Sequence, residues 1–161
     1  MKKNSSDTNE PQAAARPKPQ SRRRNGKPEM LSRNVAITSF SATVRLNAIH
    51  HKGDEPYIKG QPWLELRGTA QEPVKGVTDV KISMWPREKV EIGSARPASV
   101  GVVLGARPEL AFGLTWPQAE FDWVWNLAVS GHLKVAHVYF TKPHYDSGLV
   151  VSASFSNELE E

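Results

Sequence analysis

The sequence predicts an α+β domain in which a mostly antiparallel sheet of six to eight strands, built as a sandwich or partial barrel, packs against one principal helix near residues 117–130. Three observations lead there. Several segments alternate apolar and polar residues with a period of two. One segment carries a broad apolar arc at helical spacing, bounded by residues that start and stop helices. The chain has 161 residues, enough for one domain with its own core and too few for two.

Charge divides the chain before any element is drawn. Residues 1–33 carry nine Lys and Arg against three Asp and Glu, a net of +6, whereas residues 34–161 carry twelve against fourteen, a net of −2. The overall +4 therefore describes a basic arm on a near-neutral body and not a uniformly basic domain. The arm, residues 1–32, is rich in Pro, Ser, Asn, Gln and Lys. It has too little apolar surface to offset an ordering entropy of about 1–2 kcal/mol per residue, so it is expected to be disordered. The folded domain is expected over 33–157, with an acidic, frayed tail at 158–161.

In "NVAITSFSATVRLNAI" Phe40, Ala42, Val44, Leu46 and Ala48 alternate with Ser41, Thr43, Arg45 and Asn47, the pattern of a half-buried strand. "HHKGDEPYIKGQP" reads as a loop from its Gly, Asp and Pro content. "WLELRGTA" and "VTDVKISMW" read as strands joined by a turn in "QEPVKG". In the second of these, Val80, Ile82 and Met84 share one face, and Asp79, Lys81, Ser83 and Trp85 the other.

An Ala-Arg-Pro triplet occurs at 95–97 and again at 106–108, too short an identity to mark a repeat. The segments that follow the two triplets read as a hairpin. Val100, Val102 and Leu104 fall on one face of its first strand, and Leu110, Phe112 and Leu114 on one face of its second. Ser99, Gly101, Ala111 and Gly113 leave the opposite faces nearly bare, and a bare face admits a close neighbour: a helix, another sheet, a ligand or a partner strand.

The stretch "WPQAEFDWVWNLAVSGH" fits both a strand and a helix, and its ends favour the helix. Pro117 suits a first turn, Glu120 and Asp122 complement the helix dipole, and Gly131 suits a left-handed C-terminal cap. Trp116, restrained by the proline after it, becomes the cap residue. Phe121, Val124, Leu127 and Ala128 should face a sheet. Trp123 and Trp125 lie about 160° apart on such a helix, so the aromatic rings belong to core and core edge and form no common stacking platform. If one Trp is displayed for function, Trp85 is as good a candidate, because it shares its face with polar residues. "HLKVAHVYFTK" and "GLVVSASFS" complete the set of strands, joined by a turn in "PHYDSG".

The chemistry is sparse. No cysteine is present, which removes disulfides, thiolate zinc sites and thiol nucleophiles and fits a reducing compartment. The five histidines match no zinc spacing; His137, His144 and Asp146 lie within ten residues but on a strand and in a turn. Glu120 and Asp122 diverge on a helix and cannot converge as an acid–base pair. No nucleophile elbow, Walker loop or dinucleotide fingerprint occurs. No catalytic residue, metal or cofactor is assigned. The opening lysines are followed by no apolar signal-peptide core, and no apolar run approaches the length of a membrane span, so a cytoplasmic protein without a membrane partner is expected.

The expected function is a non-enzymatic binding or assembly module. In the first reading Arg16, Lys18, Arg22, Arg23, Arg24 and Lys27 of the arm tether it to nucleic acid by neutralising phosphates. In the alternative the arm is a passive tail, and the folded body binds a protein or itself through a sheet face and the Trp-rich helix, with Trp85, Gly101, Gly113, Trp123 and Trp125 at the interface. An enzyme with dispersed catalytic residues is the third reading.

Overall fold

A computed structural model describes residues 27–50, 52–53, 55–87 and 98–158. Seven strands and one helix follow in the order β1 (Met30–Ile49), β2 (Tyr57–Val74), β3 (Val77–Arg87), β4 (Gly101–Gly105), β5 (Leu110–Pro117), α1 (Gln118–Val129), β6 (Val135–Thr141) and β7 (Gly148–Ser156). The strands close into a barrel with spatial order β1-β2-β3-β5-β4-β7-β6, so the sandwich alternative does not hold. All of its pairings are antiparallel except that of β3 with β5. Closure removes sheet edges over the barrel proper, and it forces alternate residues of each strand inward.

The inward set makes the core. Leu64 and Leu66 of β2, Ile82 and Met84 of β3, Leu110, Phe112 and Leu114 of β5, and Val138 and Phe140 of β6 are fully buried. Phe112 and Phe140 meet edge-to-face across the interior with centroids 5.0 Å apart. Val80, Ile82 and Met84 point inward, as their alternation predicts.

The helix sits where its apolar arc predicts, and Phe121, Val124 and Ala128 are its buried residues. Pro117, with φ −58° and ψ 152°, occupies the cap position in place of Trp116, and no side chain caps the N-terminus. Gly131 adopts φ +74°, and the amides of Gly131 and His132 bond back to the carbonyls of Ala128 and Leu127. That left-handed stop is the one the sequence calls for.

Four features depart from the sequence reading. Strand pairing begins inside the expected arm, since Met30, Leu31 and Ser32 pair with Thr141, Phe140 and Tyr139; these residues are recruited by the closing ladder and not by their own alternation. Residues 57–62, read as loop, are strand and pair with Ile49 back to Val44, because a partner strand outweighs local Gly and Pro content. In β4 the faces are reversed: Val103 is buried, while Val102 and Leu104 are exposed. A register irregularity between Val103 and Gly105 shifts the parity that period-two counting assumes.

The fourth departure is the largest. β1 pairs with β6 only through Ala36, and β2 pairs with β3 only from Leu64 onward. Among the described residues, 43–49 and 57–63 therefore pair with each other alone, as a two-stranded ribbon running past the barrel, and 39–42 pair only with 64–67 at its base. Phe40, Val44 and Leu46, expected to be half-buried, are exposed there.

Candidate functional site

The ribbon has two chemically distinct faces, set by the pleat. A bulge at Thr38 brings Phe40, Ala42, Val44, Leu46 and Ala48 into line with the barrel-lining face, and places Thr43, Arg45 and Asn47 on the outer one. Their partners on the outer face are Trp63, Gln61 and Lys59. The outer face continues across β3 through Ser83 and Trp85, and across β5 through Gly113 and Thr115.

Trp63 and Trp85 stack on this surface, with ring centroids 5.4 Å apart and planes inclined by 27°. Trp85 is half-buried and forms the back of the pair; Trp63 remains 42% exposed. Two shallow grooves adjoin the stack. One, of about 350 Å³, is lined by Thr43, Arg45, Gln61 and Trp63. The other, of about 530 Å³, includes Asn47, Lys59, Gln61, Trp85, Arg87 and Gln118 in its walls. Gln61 borders both, so they form one polar-aromatic track over the ribbon base.

Among the described residues, charge on this track is of one sign: Arg45, Lys59 and Arg87 border the grooves, no carboxylate does, and none of the three cations is ion-paired. Further along the same sheet face the situation is opposite. There Arg67 bonds Glu65 at 2.8 Å and Glu109 at 3.3 Å, and Lys81 bonds Glu109 at 3.0 Å, a neutralised quartet. The quartet is neutral, whereas the three cations beside the indoles have no ion pair with a described residue.

The residues singled out from sequence are scattered. Trp85 belongs to the stacked pair. Gly113 lies beneath it, and the expected bare face is occupied: a Cβ there would meet Leu104 and Trp85 side chains at 3.1–3.3 Å. Gly101 pairs with Leu114 and faces the other way, packed so tightly that a Cβ would overlap the carbonyl of Gly113. The two glycines therefore do not share a surface. Trp123 is exposed on α1, and Trp125 is half-buried against Phe121 with centroids 5.8 Å apart. Trp116 packs edge-to-face on Phe155. Lys27 is exposed, and Arg16, Lys18, Arg22, Arg23 and Arg24 lie outside the described residues.

The acid–base candidates are not brought together. The imidazole Nε2 of His137 lies 2.6 Å from Ser32 Oγ, His144 sits in the β6–β7 turn, and Glu120 is in the first turn of α1. None of them lines a groove described here, and no cluster of three metal-ligating side chains occurs among the described residues. No helix among the described residues is long and apolar enough to cross a membrane.

Sequence reasoning missed Trp63. The β2–β3 turn at Lys75 and Gly76, both at positive φ, sets Val74 opposite Val77, and an uninterrupted hairpin from that turn would set Trp85 opposite Leu66. Between Val74 and Thr69 the register slips by three residues, an odd number, so that Leu66 meets Ile82 and the two indoles share a face. Nothing in the local pattern announces that slip. No family model, curated protein or solved structure matches this chain.

Proposed function

We propose that this protein binds single-stranded nucleic acid along the track formed by Trp63, Trp85, Arg45, Lys59 and Arg87. The observation that carries the reading is the exposed indole of Trp63, stacked on Trp85 and flanked by three cations that have no counter-carboxylate among the described residues. A flat aromatic surface beside a positive groove is the combination that single strands require. Every unpaired base has a π-face to stack, and the backbone supplies a phosphate at each step. Stacking on an aromatic side chain contributes about 1–3 kcal/mol per base and tolerates any sequence. Gln61, Asn47 and Gln118 add polar groups for base edges or ribose without adding negative charge.

Duplex fits this site poorly, because its bases are already stacked and only its phosphates would engage. The basic arm complements the track in this reading. Its arginines and lysines supply sequence-independent phosphate contacts, and the track supplies the preference for single strands.

The test is fluorescence anisotropy of labelled single-stranded DNA, single-stranded RNA and duplex DNA, titrated with the full chain, Trp63→Ala and a chain lacking residues 1–26. The full chain should favour single strands over duplex, and Trp63→Ala should lose that preference while retaining salt-sensitive binding through the arm. Equal single-strand affinity for the full chain and Trp63→Ala would sink the proposal. Binding lost only on removing the arm would leave the electrostatic tether as the whole activity.

A further inference from the structure

The other face of the ribbon poses a separate problem. It continues the barrel-lining side of β1 and β2 beyond the rim and carries Phe40, Ala42, Val44, Leu46, Ala48, Ile58, Gly60 and Pro62, with no charged residue and no side-chain hydrogen-bonding group. Phe40 is 44% exposed, Val44 55%, Leu46 70% and Ile58 74%. We propose that a second copy of this chain docks on this face, so that the protein is a dimer joined ribbon to ribbon through its apolar sides.

Three physical arguments select that occupant. The first is area. These four residues alone leave roughly 400 Å² of largely apolar surface in water, within the ~300–600 Å² of the largest patch on a typical monomer, a patch that is often functional. Two such faces, with Ala42, Ala48, Pro62 and the intervening backbone, approach the ~1,200 Å² lower bound of a stable interface.

The second argument is charge. A nucleic acid, or an acidic or basic protein, would bring charges onto a surface that offers them no partner, at a cost in desolvation. A copy of the same face brings none. Arg45 and Lys59 project from the opposite side of the same strands and remain in water.

The third argument is the ribbon itself. Two strands paired only with each other are at best marginally stable in water, and stability normally needs a further layer against one face. Around a two-fold axis each ribbon supplies that layer to its partner, an isologous contact that closes on itself and does not propagate. The arrangement leaves Trp63, Arg45 and Lys59 facing outward on both sides, while Gly60 and Pro62 border both the apolar face and the larger groove. Neither conclusion depends on the other.

Sedimentation velocity of the full chain, without nucleic acid and over a wide concentration range, reads the outcome directly. The expected species is a dimer that persists at high salt, since its contact is apolar. Leu46→Lys and Ile58→Lys should each raise the dissociation constant by about 100-fold or more, because each residue acts twice across the axis. Ser41→Lys places the same charge on the outer face of the same strand, opposite Glu65, and should leave the dimer intact. Val44→Cys supplies a thiol in a chain that has none, and a short bis-maleimide should then couple two chains without any charge being introduced. A monomer at every concentration overturns the proposal, as does a dimer unaffected by both lysine variants. A monomeric parent whose Leu46→Lys variant melts earlier would assign the face to a segment of the same chain, and would overturn it equally.

Discussion

Gly113 of β5 lies directly under the indole of Trp85: a Cβ built on the glycine would stand 3.2 Å from Trp85 Cη2, and 3.1 Å from Leu104 Cδ1. The glycine therefore leaves room for the edge of the Trp85 indole, the ring that stacks on Trp63. Both neighbours are surface side chains, so a substitution here should disturb the stack before it disturbs the barrel.

Gly113→Leu should retain the far-ultraviolet circular dichroism of the parent and change stability by only about 1–2 kcal/mol, since the displaced groups can swing into solvent. The near-ultraviolet signal of the coupled Trp63–Trp85 pair should fall, and single-strand affinity with it. An unchanged near-ultraviolet spectrum would show that Trp85 does not depend on the gap.

Gly68 tests the opposite situation. A Cβ there would lie 2.2 Å from the backbone oxygen of Ala36 and 2.9 Å from Val35 Cγ1, so the β1–β2 ladder itself must move. Gly68→Ala should cost about 3 kcal/mol or more, at the upper end of overpacking effects. Gly60→Ala, whose new methyl would meet only Leu46 and Val44 side chains at 3.6 and 3.9 Å, should be close to neutral. Urea midpoints of the two variants, measured side by side, check the contrast.

Salt dependence separates the three cations of the track from the neutralised quartet. Removing Arg45, Lys59 or Arg87 should each reduce the slope of log K against log salt by about 0.7 on single strands, if each engages one phosphate. Removing Arg67 should leave the slope nearly unchanged, because its guanidinium already bonds Glu65 and Glu109.

Glu109→Gln gives a prediction of the opposite sign. It withdraws the carboxylate shared by Arg67 and Lys81 and should cost at most about 1 kcal/mol, as for other partly exposed ion pairs. Because it releases positive charge on the same sheet face as the track, it should tighten nucleic-acid binding at low salt and lose that advantage at high salt. Anisotropy titrations at two ionic strengths read both parts.

Phe112→Ala addresses the core. The ring is fully buried and packs edge-to-face on Phe140. Its loss should cost about 3–5 kcal/mol, visible as a large fall in melting temperature.

Local pattern sufficed for much of this molecule. The inward rows of Val80, Ile82 and Met84 and of Leu110, Phe112 and Leu114, the helix with Phe121 and Val124 buried, and the left-handed stop at Gly131 all follow from residues within a few positions of one another. So does the split between a basic first segment and a near-neutral remainder. Burial, helix periodicity and capping are short-range properties, and a sequence records them directly.

Barrel closure, the ribbon and the site depend on which strands pair and in what register, and those are long-range properties. The bulge at Thr38 and the three-residue slip between Val74 and Thr69 each reverse the parity of a strand. One leaves Phe40, Val44 and Leu46 on an apolar face running past the rim. The other carries Trp85 to the side of Trp63. A period of two says which residues share a face along one strand, but an odd shift in pairing decides which faces meet, and only the folded ladder contains that shift.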